Sequence, residues 1–229
     1  KFATMKQLLL TFVCLLALHS LTAQCTGTGS INYQQWNNIT GGNVSNLTSN
    51  VNYPNNPSVT GTLNLFEAPS NIGSNLGVRI YGYICPPTTG TYYFWVAADN
   101  AGELWLSTTS LAANKVRIAY TSKATKPRQW NASATQKSVA IQLVAGTKYY
   151  VEALMKESTG SDNLAVGWAK PGQSSSAPSE VIPGSSLSKD LVSDVQAPTA
   201  PSNLAAAFIT NTSFVLSWSP STDNIGVTG

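Results

Sequence analysis

In this 229-residue chain, the side chains best suited by type and spacing to do chemistry are oxygen donors in two short polar stretches, Asp99-Asn100 and Glu157 to Asn163. Each follows a strand-like run rich in aromatic residues, so both can fall at one end of a β-sandwich. Ca²⁺ takes about six to eight oxygen ligands from carboxylates, amides and backbone carbonyls, and two polar loops meeting over a rigid sheet would suit it. Asp99, Asn100, Asp162 and Asn163 carry such atoms. Gly102, just after the first stretch, and Gly160, within the second, let backbone carbonyls turn inward at little steric cost. On the residues alone the reading stays open, because Asp-Asn followed by Ala-Gly also marks an ordinary turn.

Other chemistries are narrowed by what is missing. The single histidine, His19, lies in an apolar leader, so the chain without that leader has no imidazole to act as a general base. Ser-His-Asp and Cys-His catalysis are thereby excluded within it, and zinc sites, which draw on His and Cys, are disfavoured. Carboxylate chemistry survives. Glycoside hydrolysis through Glu103, Glu152 or Glu157 needs two acids about 5 to 10 Å apart across a cleft, and one sandwich offers little cleft. A non-enzymatic binding module is expected, with any catalytic domain beyond Gly229. Trp105, Trp130 and Trp168 lie near the polar stretches; Trp105 alternates with Leu104 and Leu106, faces away from both, and can stack on a sugar ring. Trp36, Trp95 and Trp218 are assigned to packing.

The elements that must position these residues follow from composition and pattern. Only 10% of residues are charged, and Asn, Ser, Thr and Gly are abundant, which suits an extracellular all-β protein. Met5-Lys6 precede an apolar run from Leu8 to Leu18 and the small-residue stretch Ser20 to Ala23, which reads as a signal peptide ending near residue 23. The run is shorter than a membrane-spanning helix requires. Without it Lys1 and Lys6 are lost, leaving 11 basic against 10 acidic side chains. Nucleic acid is therefore not an expected partner, because its binding needs clustered cations. The stretch Lys115, Arg117, Lys123, Lys126, Arg128 reads instead as a solvated edge strand and loop. Cys25 and Cys85 remain in an oxidising compartment and are expected to form a disulfide, the alternatives being free thiols or lipidation of Cys25. Asn46-Leu47-Thr48 and Asn131-Ala132-Ser133 are glycosylation acceptor patterns.

From Thr26 to Trp168 short apolar runs alternate with turn signals. Expected strands are Val78 to Ile84, Thr91 to Ala98, Glu103 to Ser107, a strand placing Val139, Ile141 and Leu143 on one face, Tyr149 to Met155, and Leu164 to Trp168. Asp99 to Gly102 is expected to close a tight hairpin, and Lys156 to Asn163 to be a polar loop that no core could use. The domain reading is a signal peptide over 1–23, a β-sandwich over 24–172, a Ser/Pro-rich linker over 173–196, and over 197–229 the opening strands of a fibronectin type III domain, truncated and either poorly ordered or packed in a non-native way.

Gly82-Tyr83-Ile84-Cys85-Pro86-Pro87-Thr88-Thr89-Gly90-Thr91-Tyr92-Tyr93-Phe94-Trp95, followed by Asp99 to Ser107 and then by Trp130, Gln136, Ala145-Gly146, Tyr149-Tyr150 and Gly160 to Trp168, resembles the protective-antigen-fourteen domain family. The resemblance covers about Thr26 to Gly172. It implies an all-β antiparallel sandwich in which carbohydrate-binding members hold sugar hydroxyls on a bound Ca²⁺, as in bacterial toxins, glycosidases and adhesins. Such members use adjacent aspartates, often joined by a cis peptide, in the loop matching Asp99-Asn100, and further oxygens from the loop matching Glu157 to Asn163. Asn100 departs from that pattern and removes one negative charge, so weak binding, about 10⁻⁴ to 10⁻³ M, is expected; no cis bond is assumed at Asp99-Asn100 without metal. The implied sugar contacts are Asp99, Asn100, Trp105, Glu157 and Asp162. The expectation is a secreted or surface glycan-binding module of a larger bacterial adhesin or carbohydrate-active protein. The alternatives are a ligand-free stalk domain or an accessory domain of a glycoside hydrolase.

Overall fold

The structure is a computed structural model that describes residues 25–189 and 199–221; the expected leader lies outside the described residues. Two antiparallel sheets form the sandwich. The strands in chain order are β1 (Ile31–Trp36), β2 (Val59–Leu63), β3 (Leu76–Ile84), β4 (Gly90–Asp99), β5 (Ala101–Ser107), β6 (Lys115–Thr121), β7 (Ile141–Leu143), β8 (Tyr149–Glu157), β9 (Asn163–Ala169), β10 (Glu180–Val181) and β11 (Leu187–Ser188). The larger sheet has seven strands in the order β2-β1-β3-β8-β5-β6 with β11 beside β3, and the smaller has four in the order β10-β9-β4-β7.

Alternation decides which side chains meet between the sheets, because successive residues of a strand point to opposite faces. Tyr92, Phe94, Val96 and Ala98 of β4 and Leu164, Val166 and Trp168 of β9 face Val78, Ile80, Val151, Ala153, Met155 and Leu104 of the larger sheet in one continuous core. Burying each large side chain contributes about 1.5 to 3 kcal/mol, which fixes the register of every strand involved. Part of the outer face of the larger sheet is covered as well. Residues 37–58 leave β1, carry a short helix α1 (Val44–Thr48), and pack Ile39, Val44 and Leu47 with Trp36, Ala101 and Leu154. Trp36 and Trp95 are buried as expected, at 1% and 2% exposure. Cys25 and Cys85 are bonded, with Cα atoms 5.3 Å apart, which ties the start of the sandwich to the end of β3.

Several expectations are corrected. The Ser/Pro-rich stretch is not a linker as far as residue 188: β10 pairs with β9, β11 pairs with β3, and Ile182 and Leu187 are fully buried in the core. Composition suggested a tail, but alternate apolar residues within it still find the core. The turn at Asp99 does not close a hairpin, because β4 belongs to the smaller sheet and β5 to the larger. Val139 stands 78% exposed outside β7. Residues 199–221 form a separate two-stranded hairpin, β12 (Ser202–Ala207) with β13 (Val215–Ser219). Trp218, expected to pack, is 57% exposed there.

Candidate functional site

The two sheet crossings explain why the polar stretches meet. The chain passes from β4 to β5 at Asp99-Asn100 and from β8 to β9 at residues 158–162, both at the same tip of the sandwich. Register then locks them together: Asp99 pairs with Asn163, Ala101 pairs with Lys156, and the Asn100 N–H donates to the Lys156 carbonyl at 3.1 Å. The Asp99–Asn100 peptide bond is cis, although none was assumed for the metal-free chain. The sheets come so close here that a Cβ on Gly102 would lie 2.4 Å from the Cβ of Ala98, so only glycine fits.

The loop expected to stay out of any core does so at Ser158 to Ser161, which are partly or fully exposed, but its two flanks are buried. Lys156 and Glu157 are fully buried, and Asp162 and Asn163 are 1% and 3% exposed. Their partners are fewer than their oxygens. Asp162 Oδ2 accepts from the Gly73 N–H at 3.0 Å, the Asn163 amide donates to the Thr125 carbonyl at 2.8 Å, and Asn100 Oδ1 accepts from the Ser158 N–H at 2.7 Å. Both carboxylate oxygens of Glu157, Oδ1 of Asp162 and Oδ1 of Asn163 have no hydrogen-bond partner. Leaving a buried polar atom unpaired costs about 1 to 3 kcal/mol, and more for a charge.

Electrostatics reports the same crowding. Burial, and then the charges of Asp99 and Asp162, push the Glu157 carboxyl up to about 7 against the opposing pull of Lys156. Burial and the Asp162 charge raise Asp99 as well. The Lys156 ammonium donates to the Glu157 carbonyl, and burial lowers its pKa. Carboxylates that repel one another and whose lone pairs meet no donor are what a hard cation relieves. Among the described residues no three Asp, Glu, His or Cys side chains already surround one point. Amide and backbone oxygens would have to complete the shell, and Ca²⁺ accepts them whereas zinc prefers nitrogen and sulfur. The residues present therefore fit a hard cation.

Beside these atoms opens a cleft of about 330 Å³ lined by Asp99, Thr125, Lys126, Pro127, Gln129 and Asn163 among others. The loop that supplies its far wall is anchored by Thr125, whose hydroxyl accepts from the Ala98 N–H at 2.9 Å. Sequence reasoning read the Lys123 to Arg128 stretch only as a solvated loop, not as a wall of this cleft, and missed the Asn71 to Asn75 turn that supplies the Gly73 N–H. Lys126-Pro127 signalled a turn, but nothing local said where it lands. Trp105 does not join the site. It lies mid-strand on the outer face of the larger sheet, opposite Glu152, about four residues or 13 Å along β5 from the crossing. Trp168 is buried in the core and donates to Glu180 at 3.0 Å. Of the acids weighed for catalysis, Glu103 pairs with Arg117 and Glu152 with Arg79 and Lys115.

Comparison with known proteins places this architecture. A mouse N-acetyl-beta-glucosaminyl-glycoprotein 4-beta-N-acetylgalactosaminyltransferase 1 is 33% identical over 145 residues, 61% of this chain and 14% of that protein. Mouse fibrocystin-L is 36% identical over 89 residues, 39% of this chain and 2% of that protein. The chain thus spans a small fraction of either relative. Two solved structures share the fold. The PA14 sugar-binding domain from an RTX adhesin has a TM-score of 0.53 at 14% identity, covering 71% of this chain and 99% of that one. The PA14 domain of the MpAFP antifreeze protein has 0.51 at 13% identity, covering 74% and 95%. The PA14 domain model matches residues 45–181, so the chain belongs to the PA14 domain family.

Proposed function

We propose that this chain is a non-catalytic carbohydrate-binding domain of a secreted or surface protein, and that it holds glycan at the Asp99 tip through a weakly bound Ca²⁺. The reading is carried by one observation: four buried oxygens of Glu157, Asp162 and Asn163 lack any partner beside a cleft that Asp99 also lines. Asp99, Glu157, Asp162 and Asn163 would hold the ion, with Asn100 offering a carbonyl oxygen that already accepts from Ser158. Bound there, Ca²⁺ supplies positive charge on which sugar hydroxyls can be held. The chain's own residues line the cleft with Lys126 and Gln129, and Thr125 ties that wall to Ala98 through two hydrogen bonds. The sugar-binding domain of the RTX adhesin, which shares the fold, supports the sugar class. The hairpin β12–β13, with Leu204, Phe214 and Trp218 exposed, fits the opening of a further fibronectin-like module.

A glycan array probed with and without EDTA tests this. Binding that appears with millimolar Ca²⁺ and vanishes in Asp99→Ala is the expected result; binding indifferent to both removes the proposal. A second reading, a ligand-free structural tip, is favoured by Lys156, whose buried ammonium sits against Glu157 as an internal counter-charge. It predicts no effect of Ca²⁺ on melting or on glycan binding.

A further inference from the structure

The outer face of the larger sheet is divided. Its half nearest the Asp99 tip is covered by residues 37–58, while the other half presents Tyr81, Tyr83, Trp105, Lys115 and Arg117 to solvent with only partial burial. Register aligns one row across these strands: Tyr81 is opposite Glu152, Glu152 opposite Trp105, and Trp105 opposite Arg117. Two strand spacings place the Tyr81 and Trp105 backbones about 10 Å apart, on the scale of one disaccharide step of an extended polymer.

The charges of this face are layered. Glu152 is 1% exposed, and it holds Arg79 and Lys115 at 2.7 Å each, with those side chains 16% and 29% exposed. Glu103, 19% exposed, holds Arg117, which is 42% exposed. The carboxylates thus lie beneath and the cations above, and three cations stand against two carboxylates, so the field met by an approaching ligand is positive. The rings are set in place as well. The Trp105 indole donates to Glu103 at 3.1 Å, the Arg79 guanidinium lies 4.0 Å from the Tyr81 ring centre, and Tyr150 donates to Glu152 at 2.6 Å. Buried carboxylates that fix cations and aromatic rings on one face pre-organise it, which lowers the ordering cost of binding.

We propose that this face is a second binding surface, separate from the Asp99 tip, for an acidic polysaccharide laid across the strands. Trp105 and Tyr81 stack on sugar rings, and Arg117 and Lys115 meet the carboxylates of the polymer. Stacking with cations in register selects a polymer that carries both an apolar ring face and a negative charge; a neutral glycan would use only half of the site.

Affinity electrophoresis of the full chain through polygalacturonate in EDTA tests the proposal, since chelation disables a Ca²⁺-dependent tip. Retardation is expected, weakening with salt because exposed charges are screened beyond about 10 Å at 0.1 M. Trp105→Ala should weaken binding about tenfold, the scale of one lost stacking contact. Arg117→Gln, at an exposed side chain that tolerates exchange, should weaken it and flatten the salt dependence, and it carries the test if Trp105→Ala fails to fold. No retardation overturns the proposal. So does equal retardation by the methyl-esterified polymer, which would show that charge is not read, or equal competition by single-stranded DNA, which would show charge without sugar stacking.

Discussion

Removing or supplying Ca²⁺ should move the stability of this domain by an amount the structure allows to be worked out. With a dissociation constant of about 10⁻⁴ to 10⁻³ M for a site of this charge, about 10 mM Ca²⁺ stabilises the folded state by about 1.4 to 2.7 kcal/mol through mass action. For a domain of this size each kcal/mol shifts the melting temperature by about 2 to 4 °C, so a rise of about 3 to 11 °C is expected. The size depends on pH through Glu157. Burial and the neighbouring Asp99 and Asp162 charges push its carboxyl up to about 7 from the ordinary 4.5. Between those values the folded state holds a proton that the unfolded chain has released. Stability in EDTA therefore falls as pH rises through that window and stays low above it. The same proton competes with Ca²⁺, so the shift is small near pH 5 and full near pH 8. Differential scanning calorimetry with Ca²⁺ or EDTA at both pH values measures this. A melting temperature at pH 8 that ignores Ca²⁺, or a shift that survives Asp99→Ala, refutes the reasoning.

Four further outcomes are expected. Glu152→Ala leaves Arg79 and Lys115 facing each other without their carboxylate and should destabilise by about 3 kcal/mol, read from the urea midpoint. Burial opposes ionisation of Glu152, but the Arg79 charge and the hydrogen bonds from Lys115 and Tyr150 outweigh it and hold the carboxyl below its ordinary value. In the wild type that contribution is present above pH 4.5 and is lost as pH falls further; Glu152→Ala should flatten this acid limb. Reduction of Cys25–Cys85, which closes a separation of 60 residues, should cost about 4 kcal/mol, seen as a lower urea midpoint in reductant. A chain ending at Gly172 should fail to give a cooperative melt, because it lacks Ile182 and Leu187 of the core.

Strand identity was legible because residue content and turn signals are local. The Tyr92 to Ala98 run and the Tyr149 to Met155 run are dense in aromatic and apolar residues between turn signals, and alternate residues of each enter the core. Residues 173–188 were misread for the same reason: their composition is that of a linker, and only the distant β3 and β9 give Ile182 and Leu187 somewhere to be buried. Trp105 was read correctly as facing away from Leu104 and Leu106. Which sheet face it joined, and that this face lies far from the tip, depended on strand order, which no spacing in the sequence encodes.

The sequence by itself determined the all-β class and which loops hold oxygen donors, since these follow from residue type and from neighbours within a few positions; it made Cys25–Cys85 the expected disulfide, which the structure contains. Tertiary structure alone decided that Asp99, Glu157, Asp162 and Asn163 share one buried tip, that Thr125 and Gly73 complete its hydrogen bonds, and that a row of rings and cations crosses the outer sheet. Contacts between residues tens of positions apart are set by how two sheets pack and in what order their strands pair, and that is a property of the whole core.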